Sequence, residues 1–206
     1  MHAVSNLQRP RCADCLRPAT ACICQWIRPT AHTTEVLILQ HPLEVDHAKN
    51  SARLLHLSLG DSSLLVGEVF DAQQLQATWK VPKYTVLLYP AGTPIAPIVP
   101  PPSPDPQQLQ DLPRLRLVVL DATWRKSRKM LHLSPVLQQL PRLSLHDVPA
   151  SNYLIRKAHK PGQLSTLEAT CAALTQLEGD AARCQPLLQA FKGFVAQQMA
   201  FRPARV

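Results

Sequence analysis

Two groups of residues in this chain have types and spacing suited to chemistry. Asp121-Ala122-Thr123-Trp124 puts a carboxylate, a hydroxyl and an indole directly after the apolar run Leu-Arg-Leu-Val-Val-Leu over 115–120. Cys12, Cys15, Cys22 and Cys24 form a C-x2-C-x6-C-x-C pattern. In a reducing compartment two close cysteine pairs read as a metal site, because zinc takes four soft ligands in a tetrahedron. With every position filled by a protein thiolate, no coordination site is left for a substrate, so the expected zinc is structural. A redox or disulfide cluster is the competing reading. An iron–sulfur centre ranks lower, since the spacing matches none of the ferredoxin patterns. Cys171 and Cys184 stand apart in helical context and read as ordinary buried residues.

The end of a strand in an open parallel sheet is where α/β proteins bind ligands. Asp121 fits that place, and it fits equally well as the N-cap of the helix that follows. A second strand end, Tyr89-Pro90-Ala91-Gly92, has a Pro and a Gly that force a turn and let a ligand approach the backbone. Arg125, Lys126, Arg128 and Lys129 crowd a helix start, where the macrodipole disfavours each cation by ~0.3–1 kcal/mol. Their cluster reads as a phosphate-binding surface or as a solvated basic face. Downstream, Arg156-Lys157 precedes Ser165-Thr166-Leu167-Glu168, which matches the S-x-x-E capping box. A capped helix start can also meet an anion. The Gly-rich phosphate loop, H-E-x-x-H and G-x-S-x-G motifs are all missing, which leaves NTPase, zincin and hydrolase readings without support.

The elements that must hold these residues are short. Continuous apolar runs predict strands over 34–40, 62–70, 84–89 and 115–120, with a weaker one over 140–146. Runs of this kind, without strict alternation, belong to strands covered on both faces. Helices are expected over 45–59, 106–112, 125–132, 166–178 and 186–201, the fourth ending before Gly179. The sum is an α/β fold with a mostly parallel sheet and flanking helices, behind a small N-terminal zinc knuckle. The expected division is a knuckle over 1–30 and an α/β domain over 31–206. Residues 90–106 hold eight of the 20 prolines and read as a stiff surface loop.

With 22 Lys and Arg against 14 Asp and Glu, the formal charge is +8, which points to a polyanionic partner or to a basic surface kept for solubility. No apolar run reaches the ~20 residues of a membrane span. Met1 to Arg11 has no hydrophobic core of a signal peptide, so the expectation is a cytoplasmic protein without membrane contact.

Five blocks, in order, resemble one family. Asp121-x-Thr123-Trp124 is similar to the D-x-T-W signature of the DTW domain, and the cysteine knuckle resembles that family's N-terminal cluster. His41-Pro42-x-Glu44 with Lys49-Asn50-Ser51-Ala52-Arg53-Leu54 resembles its first strand-to-helix block, with Ser51 where Thr is more usual. Tyr89-Pro90 resembles a middle strand end, and Tyr153-x-x-Arg156-Lys157 with Ser165-Thr166-x-Glu168-Ala169 its last block. The resemblance implies a SPOUT-like fold with a knotted C-terminal half. It implies transfer of the 3-amino-3-carboxypropyl group of S-adenosylmethionine to N-3 of a tRNA uridine, releasing methylthioadenosine. Asp121 would then be the general base, or the group that holds the donor's ammonium or ribose. Tyr89, Pro90, Gly92, Thr123, Trp124, Ser165 and Thr166 would line the S-adenosylmethionine pocket. Lys49, Arg53, Arg125, Arg128, Lys129, Arg156 and Lys157 would meet tRNA phosphates. A SPOUT-like RNA methyltransferase and a non-catalytic zinc-bearing RNA-binding protein are the rival readings.

Overall fold

The computed structural model describes residues 10–79, 81–91, 101–146 and 164–201. Its centre is a five-stranded sheet of β1 (Glu35–Gln40), β2 (Ser62–Val66), β3 (Tyr84–Leu88), β4 (Leu115–Asp121) and β5 (Arg142–Leu143), in the order β2-β1-β4-β3-β5. All of the pairings are parallel. Among the described residues seven helices accompany it: α1 (Ala52–Ser58), α2 (Ala72–Thr78), α3 (Pro106–Gln110), α4 (Trp124–Leu133), α5 (Pro135–Gln138), α6 (Thr166–Glu178) and α7 (Gln185–Ala200).

Period-two geometry divides each apolar run between two cores. Val36, Ile38, Leu117 and Val119 pack with Leu54 and Leu55 of α1, Leu167 and Cys171 of α6, and Phe191 of α7. Leu37, Leu39 and Val118 face the other way, onto Leu75 of α2, Met130 and Leu131 of α4, and Leu137 of α5. Burial on both faces is why the strands show no polar alternation.

Several expected boundaries move. The helix expected over 45–59 occupies only Ala52–Ser58. A 3-10 turn at Pro42–Glu44 follows β1, and the carbonyls of Ala48 and Asn50 accept from the Arg17 side chain instead of from helix amides. β2 stops at Val66 rather than at 70, where Gly67 N–H turns to Gln40 O and Phe70 N–H to Ser134 Oγ. The short helices α2 and α5 are additions to the expected set. A full capping box between Asp71 and Gln74 starts α2. The box expected at Ser165 and Glu168 is present, and α6 ends at Gly179 with φ 70. Gly92 and residues 153–157 lie outside the described residues.

The cysteine segment packs onto α7. The Trp26 ring lies against Gly193, and Trp26 Nε1 donates to Gln197 Oε1 at 2.5 Å. Gln197 Nε2 donates in turn to Cys22 O at 3.1 Å. At the amino ends of the strands, Arg116 is wholly buried and grips Glu35 with two bonds of 2.7 and 3.1 Å. Its guanidinium also lies 4.8 Å from the Trp79 ring centroid. Burial alone would push the Glu35 carboxyl up, but Arg116 and Lys83 beside it hold it below the usual carboxylate range.

Gly193 leaves a sharp expectation, since a Cβ there would lie 2.1 Å from the Trp26 ring. Gly193→Ala should cost about 1–3 kcal/mol in urea unfolding, the usual cost of overpacking. Unchanged stability would mean that the knuckle and α7 are not held against each other.

Candidate active site and cysteine knuckle

β1 connects to β2 on one side of the sheet, whereas its other neighbour β4 connects to β5 on the opposite side. The crevice between the carboxyl ends of β1 and β4 is therefore the topological switch point, the usual ligand site of an open α/β sheet. Asp121 closes β4 at that crevice and pairs in register with Gln40, the last residue of β1.

Asp121 is 5% exposed. Gln40 Nε2 donates to its Oδ2 at 2.9 Å and Asn50 Nδ2 to the same oxygen at 2.5 Å. Thr166 Oγ1–H donates to Oδ1 at 2.7 Å. An ionised carboxylate has roughly four acceptor positions, so most of this one is occupied by the protein. The donors come from β1, the entry to α1 and the first turn of α6. Asp121 is not the N-cap of α4: that place belongs to Thr123, whose hydroxyl accepts from Lys126 N–H. Ser165 caps α6 beside Thr166. Ser51 Oγ accepts from Leu167 N–H at 3.4 Å, which ties the starts of α1 and α6 together.

A second group lies on the α4 side. The rings of Tyr89 and Trp124 stack with centroids 5.1 Å apart and planes 7° apart. Trp124 is half exposed, while Tyr89 is buried. Ser127 donates its hydroxyl proton to Trp124 O, so the Tyr89 hydroxyl is the donor in its 3.4 Å contact with Ser127. Burial pushes the Tyr89 phenol up. The Arg142 guanidinium lies 5.5 Å from the Tyr89 ring centroid and donates to the carbonyl of exposed Pro90.

The basic residues divide by contact. Lys126 pairs with the buried Glu44 at 2.9 Å, and Arg53 donates to Asp14 O at 2.7 Å. Lys129 is exposed but pairs with Glu68 at 2.9 Å. Lys49 is partly buried, and Arg125 and Arg128 are exposed. Arg156 and Lys157, like Gly92, lie outside the described residues.

Sequence reasoning left Gln40 and Asn50 out of the site, and it gave His41 no role there. A polar residue ending an otherwise apolar strand was the available signal for Gln40, as it was for Asp121. His41 is 4% exposed. Its Nδ1 accepts from Leu43 N–H, so Nε2 carries the proton and donates to Glu68 Oε1 at 3.1 Å. Lys129, followed by His41, holds the Glu68 carboxyl below its ordinary range.

The four cysteine sulfurs lie within 4.8 Å of one another, with Cys12–Cys24 at 3.5 Å and Cys15–Cys22 at 3.8 Å. Thiolates about 2.3 Å from a tetrahedral zinc would be about 3.8 Å apart, so this cluster fits a metal ion. Backbone N–H groups of Cys15 and Asp14 bring the Cys12 thiol down to about 7. Burial pushes Cys24 up. Cys171 and Cys184 are buried and unbridged.

The arrangement is that of an open α/β domain with a buried, hydrogen-bonded carboxylate at its switch point. The family model described as the DTW domain matches residues 9–199, and the chain belongs to that family. It is 31% identical over 183 residues to tRNA-uridine aminocarboxypropyltransferase 2 of Drosophila melanogaster, covering 83% of this chain and 68% of that protein. Identity to the Mus musculus protein of the same name is 24%, over 93% of this chain and 64% of the relative. Identity to tRNA-uridine aminocarboxypropyltransferase A of Arabidopsis thaliana is 26%, over 84% of this chain and 74% of the relative. The chain thus spans roughly two thirds of the length of these relatives. No solved structure matches it.

Protein purified without added metal should carry about one tightly held ion per chain by elemental analysis. Cys15→Ser should lower that content and weaken the docking of Trp26. Disulfides in place of the ion would overturn the metal assignment.

Proposed function

We propose that this chain is a tRNA-modifying enzyme that moves the 3-amino-3-carboxypropyl group of S-adenosylmethionine to N-3 of a tRNA uridine. The observation that carries the proposal is the buried, triply bonded Asp121 at the switch point of a DTW-family sheet. In the reaction a bond forms between N-3 and the substituent's terminal carbon while the carbon–sulfur bond breaks. Sulfur keeps the electron pair, methylthioadenosine leaves, and the N-3 proton is lost. The sulfonium is already a good leaving group, so the protein's task is to orient the two partners and select the carbon attacked.

The crowding of Asp121 by protein donors favours a holding role over that of a free base. A fixed carboxylate suits the ammonium or ribose of the donor substrate, with Thr166 and Ser165 beside it. The Tyr89–Trp124 stack, the Pro90 carbonyl, Gly92 and Thr123 would line the same pocket. Exposed Arg125 and Arg128 would meet tRNA phosphates, as would Lys49, Lys129, Arg156 and Lys157, whereas Arg53 serves mainly to hold the knuckle. The ion in the cysteine cluster would be zinc, closed off by four thiolates and purely structural. A knotted, SPOUT-like chain path is part of the same proposal, and the all-parallel sheet is compatible with it. So is a cytoplasmic location. Among the described residues no helix is long and apolar enough to cross a membrane.

Incubation with unmodified tRNA and S-adenosylmethionine, followed by nucleoside mass spectrometry, tests the reading directly. Methylthioadenosine as by-product supports it, and adenosylhomocysteine would make the protein a methyltransferase. Asp121→Asn sets an amide NH2 among three donors, which should cost about 1–3 kcal/mol of stability. The folded variant should bind S-adenosylmethionine more weakly and, with the donor misplaced, transfer roughly 10²-fold more slowly. Wild-type turnover would remove Asp121 from the mechanism. Arg125→Glu with Arg128→Glu should weaken tRNA binding and flatten its salt dependence, each lost phosphate contact lowering the slope by about 0.9. S-adenosylmethionine affinity should stay near wild type, and unchanged tRNA affinity would move the RNA surface elsewhere.

A further inference from the structure

One side chain of the cysteine knuckle reaches the hydrogen-bonded shell of Asp121. Leu16, in the left-handed conformation at φ 58, turns the chain just before Arg17. The Arg17 guanidinium then lies 5.3 Å from the Phe194 ring centroid of α7. Held there, it donates to Ala48 O at 2.7 Å and to Asn50 O at 2.9 Å. Asn50 is 3% exposed. Its Nδ2 donates to Asp121 Oδ2 at 2.5 Å, and its Oδ1 accepts from Arg53 N–H at 3.2 Å.

The direction of a short amide side chain is set by the backbone it stands on. The stretch between the Pro42–Glu44 turn and α1 contains no helix or strand, and Asn50 N–H is held by His47 O at 2.8 Å. Arg17 adds the constraint on the carbonyl side of Asn50, because a planar guanidinium offers its donors in a rigid fork. Two other contacts tie that stretch and the start of α1 to the knuckle without touching the carbonyl of Asn50. Arg11 pairs with Asp46 at 3.3 Å, both largely exposed, and Arg53 binds Asp14 O.

We propose that Arg17 is a positioning residue of the candidate site, setting through Asn50 the placement of Asp121 and so coupling the cysteine knuckle to the transfer rate. The inference rests on the function proposed above. It predicts that the knuckle influences chemistry by geometry, without touching either substrate.

The test uses the full chain with unmodified tRNA and S-adenosylmethionine, in single-turnover transfer. Arg17→Met keeps the aliphatic stem over Phe194 and removes the donors. It should slow transfer by about 3- to 30-fold, the usual range for residues that act through a neighbour. Metal content should remain at the wild-type value. Arg17→Lys, which keeps the charge and a donor, should recover part of the rate, and Arg11→Ala should leave it near wild type because exposed pairs contribute little. Arg17→Met combined with Asn50→Ala should be no slower than Asn50→Ala alone, since residues acting in series are not additive. Multiplying effects, or a wild-type rate in Arg17→Met, would overturn the proposal. A second readout needs no turnover: the Asn50 side-chain amide protons, followed by NMR, should exchange with solvent faster in Arg17→Met. Unchanged protection would also overturn it. If the wild-type chain releases no methylthioadenosine and leaves the tRNA unmodified, the proposed function fails, while the amide exchange still decides whether Arg17 holds Asn50.

Discussion

A carboxylate buried at the end of a central strand constrains everything packed around it. Left unpaired, the Asp121 charge would be costly to bury; it is tolerated because Gln40, Asn50 and Thr166 all donate to it. Those donors belong to segments that meet nowhere else in sequence. Holding them together fixes the exit of β1, the entry to α1 and the first turn of α6 at one point. The site is therefore built by the same bonds that stabilise the fold there, which is why its geometry depends on residues far along the chain.

The two ends of the sheet are finished differently. At the amino end, Arg116 is sealed by Glu35, Thr85 Oγ1, the carbonyl of Val81 and the Trp79 ring. That arrangement satisfies a buried cation from every side and leaves little for a ligand to do. At the carboxyl end, Trp124 remains half exposed beyond the switch point, backed by Tyr89. Closure at one end and openness at the other match the general placement of ligands in parallel sheets.

The knuckle is too small to bury a core of its own, and it depends on two supports. One is the sulfur cluster, close enough to share an ion. The other is α7, whose Gly193 admits the Trp26 ring and whose Phe194 lies beneath Arg17. Charge is used in the same divided way. Arg17, Arg53 and Lys126 hold segments together, while Arg125 and Arg128 remain at the surface. A formal charge of +8 therefore does not by itself say which cations would face a polyanion.

The amino-acid sequence by itself determined the α/β class, since continuous apolar runs cannot avoid burial on both faces. It determined the α6 capping box, because Ser165 and Glu168 meet within a single turn, and it marked the cysteine cluster, because ligand spacing is local. It also placed Asp121 at a strand end, and the family blocks were legible in their order. Tertiary structure alone decided the rest. Strand order, and with it the switch point, depends on pairings between segments as much as 81 residues apart, such as Glu35 with Arg116. The front of the first expected helix is replaced by tight turns, with the carbonyls of Ala48 and Asn50 bonded to Arg17, which is distant in sequence. The partners of Asp121 were hidden for the same reason: a hydrogen bond depends on where side chains meet in space, and residue spacing along the chain carries no record of that.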